Sequence, residues 1–177
     1  MRIKRILVPV DFSSPSLKAL DEAVDLAHSV DAKLTAVFVL APLQYPHILL
    51  GTAVRLGLLL KEERKWARKE LARLVARVSK RGVACRAVLE NGSPHERIVE
   101  AAKRTKADLI VMSTQGRTGF SHLTLGSVAE RVVRTAPCSV LTVRGSANEQ
   151  TGFRRPPRKA AATVSPGSRR SHAPVVH

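Results

Sequence analysis

Between Ser113 and Ser127 the chain reads STQGRTGFSHLTLGS, a run of small residues spaced as a backbone that wraps an anion requires. Gly116 and Gly119 let the chain turn tightly and approach a ligand closely. Gly126 and Ser127 fall where a helical pattern begins, with Leu125, Val128, Ala129, Val132 and Ala136 at the spacing of one face. Upstream, Leu109, Ile110, Val111 and Met112 form an unbroken apolar run, the mark of a parallel strand covered on both faces. A strand, a glycine loop and a helix start, in that order, suit a phosphate. Backbone N–H groups converge on the anion and the helix dipole favours it. A plain connecting loop has the same spacing. Neither a Walker lysine nor a G-x-G-x-x-G fingerprint is present. Ser127 with Glu130 also spells a capping box, and a cap and an anion site share one helix end without conflict.

The elements that must position this loop follow from the rest of the chain. Ile3 to Val10 reads as a first strand with Asp11 at its carboxyl end. Ser14 and Pro15 then give an N-cap and a first-turn proline, and Leu17, Leu20, Ala23, Val24 and Ala27 form the apolar face of a helix. Ala32 to Leu40 is a second strand. Lys61 to Arg81 is an amphipathic helix with Ala67, Leu71, Leu74, Val75 and Val78 inward and nine Lys/Arg on its other faces. Gly82 stops it, and Val83 to Leu89 is a third strand. Ser93, Pro94 and Glu96 spell the start of a short helix lined by Ile98, Val99 and Ala102. Cys138 to Val143 is the last strand. The segment His47 to Leu60 is apolar without clean periodicity. A short helix over the site, a dimer surface, a membrane-touching flap and core cover all suit it, and core cover is the reading adopted.

Strands that alternate with helices imply an α/β fold: a doubly wound, five-stranded parallel sheet, order 3-2-1-4-5, with helices on both faces. That order sets strands one and four side by side at the switch point, where ligands bind at the carboxyl ends. Asp11 and the loop that starts at Ser113 therefore face one crevice. Asp11 would accept from a ribose hydroxyl or a ligand amine, or cap the next helix beside Ser13 and Ser14. Arg117 would counter phosphate charge, although a surface arginine fits the position equally, and His122 reads as a loop histidine.

Composition bounds the function. One domain, residues 1–145, is expected, followed by a disordered basic Pro/Ser-rich tail, residues 146–177. Net charge is +16, of which the tail accounts for +5, so the domain itself is basic. Attraction to nucleic acid, acidic lipid or polyphosphate and a merely solvated basic surface both fit; aromatic residues, at 3%, are too few for a base-stacking platform. Cys85 and Cys138 lie in apolar runs and read as reduced, buried thiols of a cytoplasmic protein. No window has the length of a transmembrane segment, and the apolar start is too short for a signal peptide. No His, Cys and carboxylate cluster has metal-ligand spacing.

The chain resembles the universal stress protein (UspA-like) superfamily over residues 1–144. The resemblance begins at ILVPVDFS and is strongest at MSTQGRTGFSHLTLGSVAERVVRTAPCSVLTV. The ATP-binding subgroup carries G-x2-G-x9-G-(S/T), matched here by Gly116, Gly126 and Ser127, with Ser113 in the place of the first Gly. A backbone at positive φ there would exclude Ser, whereas its hydroxyl is suited to donate to a phosphate. The resemblance implies a flavodoxin-like, Rossmann-like fold and ATP with Mg²⁺ at the switch point. Adenine and ribose would meet Pro9, Val10, Asp11, Val39 and Met112. The phosphates would meet Ser113, Gly116, Arg117, Gly119, Gly126, Ser127 and Val128. It also implies a homodimer through the final strand, Cys138 to Val143. The function expected is a nucleotide-dependent stress-response module without dedicated catalytic residues. A slow ATPase at the same site is one alternative. The other is a nucleotide-free interaction protein whose basic helix and tail meet an acidic partner.

Overall fold

Apolar runs with two faces to bury build the centre of the sheet. The computed structural model describes residues 2–42, 50–114 and 125–144. In chain order these form β1 (Arg5–Pro9), α1 (Ser14–Val30), β2 (Lys33–Leu40), α2 (Leu50–Lys80) and β3 (Cys85–Asn91). Then come α3 (Pro94–Thr105), β4 (Leu109–Ser113), α4 (Ser127–Thr135) and β5 (Ser139–Val143). The sheet is parallel throughout and has the expected order, β3-β2-β1-β4-β5.

Strand side chains alternate between the two faces. Ile6, Val8, Leu34, Ala36, Phe38, Leu109 and Val111 pack under α1 and α2. Leu7, Val37, Ile110 and Met112 pack under α3 and α4. Full burial of each such aliphatic side chain contributes about 1.5–3 kcal/mol. On α2, Ala67, Leu71, Leu74 and Val78 are buried as the periodicity requires, while Val75 is half-buried. Trp66 of α2 closes an aromatic cluster with Phe12 and Phe38, ring centroids 5.3 and 6.0 Å away.

At the amino edge of the sheet Asp108 ties β1 to β4. Its Oδ2 accepts from the backbone N–H groups of Lys4 (3.0 Å) and Arg5 (2.9 Å), and Oδ1 accepts from Arg5 Nη2 at 2.8 Å. The Arg5 side-chain bond and then the backbone donors pull the Asp108 carboxyl down to about 2. The same pairing raises the Arg5 guanidinium.

Four local expectations are corrected. The N-cap of α1 is Ser13, not Ser14, and its hydroxyl accepts from the Ser16 N–H at 3.5 Å. The α2 helix begins at Leu50 rather than Lys61, so it absorbs most of the segment read as core cover. Leu58 and Leu60 within it are 58% and 44% exposed, because that part of the helix has left the sheet behind. The β3 strand starts at Cys85, not Val83, and its register with β2 begins with Leu34 opposite Cys85. Ser93 is the N-cap of α3, but its hydroxyl shares a hydrogen bond with His95 Nδ1 at 2.9 Å in place of a backbone cap. Both cysteines are free and half-buried, and desolvation raises the Cys85 thiol to about 11. Residues 146–177, expected as a tail, lie outside the described residues.

Candidate functional site

The β1 strand pairs with β2 on one side and β4 on the other, so the connections diverge at its carboxyl end. A cleft of about 320 Å³ opens there. This lies within the usual size range of small-molecule sites. Nine of the twelve residues singled out in the sequence line it. Pro9, Val10 and Asp11 come from the end of β1, and Val39 from β2. Met112 and Ser113 come from β4, and Gly126, Ser127 and Val128 from the start of α4. Gly116, Arg117 and Gly119 lie outside the described residues, as does His122.

Ser113 is the last residue of β4 and pairs in register with Val143. Among the described non-glycine residues, positive φ occurs at Phe12, Asp31 and Lys106 and not at Ser113. The backbone at Ser113 therefore makes no demand for glycine.

Thr114, which the motif does not mark, ties the end of β4 to β5 and to the start of α4. Its N–H donates to the Val143 carbonyl at 3.0 Å, and its carbonyl accepts from the Gly126 N–H at 2.8 Å. The connection thus leaves β4 and enters α4 at one hydrogen-bonded point. A Cβ on Gly126 would sit 3.1 Å from the Thr114 carbonyl oxygen, so close approach of backbone, rather than positive φ, favours glycine here.

The expected capping box is replaced. Gly126, not Ser127, is the N-cap of α4, and Ser127 is the first helical residue. The Glu130 N–H donates to the Gly126 carbonyl at 2.9 Å, and the Glu130 carboxylate pairs forward with Arg134 at 3.1 Å. A glycine cap brings no side-chain acceptor, so the first-turn N–H groups of α4 face the cleft with the positive end of the helix dipole.

Asp11 supports the start of α1 through Ser13, the N-cap, and lines the cleft. Its Oδ1 accepts from the Ser13 N–H at 3.0 Å and from the Ser13 hydroxyl, which braces the turn into α1. Its backbone N–H donates to Ser16 Oγ at 3.3 Å. One residue thus both braces the entry to α1 and lines the cleft.

The sequence reading missed the apolar wall: Val37, Phe38 and Ala41 from β2 and its exit, and Pro94 and Ile98 from α3. The topology brings α3 against the site, a proximity that no local motif encodes. The Pro94 turn was the one available signal. The cleft thus offers an apolar slot, a carboxylate at its rim and a helix start. Among the described residues no group of three or more His, Cys, Asp or Glu side chains is arranged to hold a metal ion.

A family model described as the universal stress protein family matches residues 2–144. The chain belongs to this family. A universal stress protein of Methanocaldococcus jannaschii is 38% identical over 142 residues, covering 80% of this chain and 82% of its own. The fold agrees with solved members of the family. The universal stress protein UspA from Lactobacillus plantarum superposes with a TM-score of 0.72 at 29% identity, over 81% of this chain and 99% of that one. A universal stress protein in complex with cAMP superposes with a TM-score of 0.62 at 26% identity, over 82% and 100%. Among the described residues no helix is long and apolar enough to cross a membrane.

Proposed function

We propose that this universal stress protein family member binds ATP in the switch-point cleft and acts as a nucleotide-dependent stress-response module. The observation that carries the reading is the start of α4, without a side-chain cap among the described residues, in a cleft whose other parts are an apolar slot and Asp11. The slot between Val39, Met112 and Pro94 suits a purine, Asp11 suits ribose hydroxyls, and Gly126, Ser127 and Val128 suit the phosphates. Gly116, Arg117 and Gly119 complete the phosphate set, and Mg²⁺ arrives on the nucleotide. The solved relative in complex with cAMP supports an adenine nucleotide as the ligand class. Among the described residues no lysine lines the cleft, which favours binding over turnover. The β5 edge, with Leu141 44% exposed, is the surface through which two copies would pair. Two free thiols suit the reducing cytoplasm.

The test is mass spectrometry of nucleotide released from freshly purified protein, together with calorimetric titration of ATP. Bound or titrating ATP, with no ADP accumulating, is the expected result. Absence of both nucleotide and binding at millimolar ATP would overturn the reading, and steady ADP release would make the site an ATPase.

A further inference from the structure

The α2 helix is longer than the sheet it covers. Arg64 Nη2 donates to Asn91 Oδ1 at 2.9 Å, and Asn91 is the last residue of β3. From Arg64 back to Leu50 the helix continues for about 20 Å at 1.5 Å per residue, past the carboxyl edge of the sheet. Leu58 and Leu60 stand in this overhang, two of the large apolar side chains that the described surface exposes.

The face that Leu58 begins is basic. Lys61, Lys65, Arg68 and Lys69 follow it at the spacing of one helical face, with Glu62 the one carboxylate among them, directed away from buried Ala67, Leu71 and Leu74. Elsewhere on the helix, cations have partners: Arg73 pairs with Glu70 of the same helix at 2.7 Å and Arg77 with Asp21 of α1 at 3.4 Å. Among the described residues no ion pair holds the four outward cations. The helix as a whole carries nine Lys/Arg against three Glu.

A polyphosphate or duplex nucleic acid would use the cations and gain nothing from exposed Leu58. Nor would a single strand find a stacking partner, since Trp66, the sole tryptophan, is packed against Phe12 and Phe38. An anionic bilayer uses both features: headgroups for the cations and the acyl boundary for leucine. We propose that the outward face of α2, Leu58 with Lys61, Lys65, Arg68 and Lys69, docks on the surface of an anionic phospholipid bilayer.

The test is co-sedimentation of the full chain, without nucleotide, with vesicles of phosphatidylcholine alone or with phosphatidylserine added. The protein should pellet with the mixed vesicles, stay in solution with phosphatidylcholine, and dissociate as salt rises. Lys65→Glu together with Lys69→Glu should lower the partition coefficient by about tenfold or more. Leu58→Ser should lower it about threefold. All these positions are exposed, so thermal melts should match the parent. Three results would overturn the proposal. One is no partition at low salt. Another is partition unchanged by the charge reversals, which places binding outside α2. The last is indifference to Leu58→Ser with release of the protein by duplex DNA, which makes the face a general polyanion site. Because the assay contains no ATP, its outcome is independent of the cleft.

Discussion

The two ends of β1 use their carboxylates in opposite ways. At the amino end Asp108 is clamped by the N–H groups of Lys4 and Arg5 and by the Arg5 guanidinium, and its carboxyl sits at about 2. At the carboxyl end Asp11 is braced by Ser13 and stands at the rim of a cleft. The helix starts repeat the contrast: α1 begins under the Ser13 hydroxyl, whereas α4 begins under Gly126, which has no side chain to offer. Where the chain supplies its own partners, the polar groups lock elements together. At the cleft they stand where a nucleotide is proposed to bind.

The sharpest way to break this comparison is to give the start of α4 a charge of its own. Ser127→Glu puts a carboxylate where phosphate is proposed to sit. ATP affinity should fall about thirtyfold, from about 2 kcal/mol of repulsion, with the melting temperature unchanged or slightly raised by the helix dipole. Calorimetry and a thermal melt on one sample read both. Asp108→Ala should do the reverse, costing about 1–2 kcal/mol of stability, roughly 5 °C in melting temperature, and leaving ATP affinity intact. Ser13→Ala touches both functions. Loss of the cap should cost about 1 kcal/mol, and ATP binding should weaken a few-fold as Asp11 loses a donor. An unchanged affinity would detach Asp11 from the site.

The smallest effect is on acid stability. The folded Asp108 carboxyl lies near 2, below its ordinary 3.8, so the folded state binds fewer protons than the unfolded one between these values. Its contribution is complete above about pH 4 and is lost as pH falls through about 2. Melts of Asp108→Asn over that window should show a shallower decline than the parent, and added salt should shrink the difference because the pair is partly exposed.

Strand order, sheet polarity and the place of the cleft were legible because they rest on long apolar runs and on the alternation of elements. Asp11 and the loop from Ser113 were placed in one crevice because strands one and four meet at the switch point, whereas Pro9 and Met112 came from the family resemblance. What escaped the sequence was decided by packing or by one hydrogen bond. The Ser127 and Glu130 pattern promised a box, yet the Gly126 N–H donates to Thr114 and shifts the helix start by one residue. Residues 47–60 lack clean periodicity, yet from Leu50 the helix runs through Gly51 and Gly57, at a cost of about 1 kcal/mol each. The apolar wall from α3 was illegible because it depends on which helix the topology sets beside β2.

The aromatic cluster behind the cleft has an optical consequence. Phe12 follows Asp11 directly with φ 62, a left-handed backbone held by full burial of its ring, and Phe38 belongs both to the cleft wall and to the cluster. Trp66 touches both rings and is the only indole in the chain. Its emission therefore has a single source, separated from any occupant of the cleft by one side chain, Phe38. The molecule carries its own fluorescent gauge, and its spectrum should shift as the cleft fills, without a label and without any change in the charged face outside.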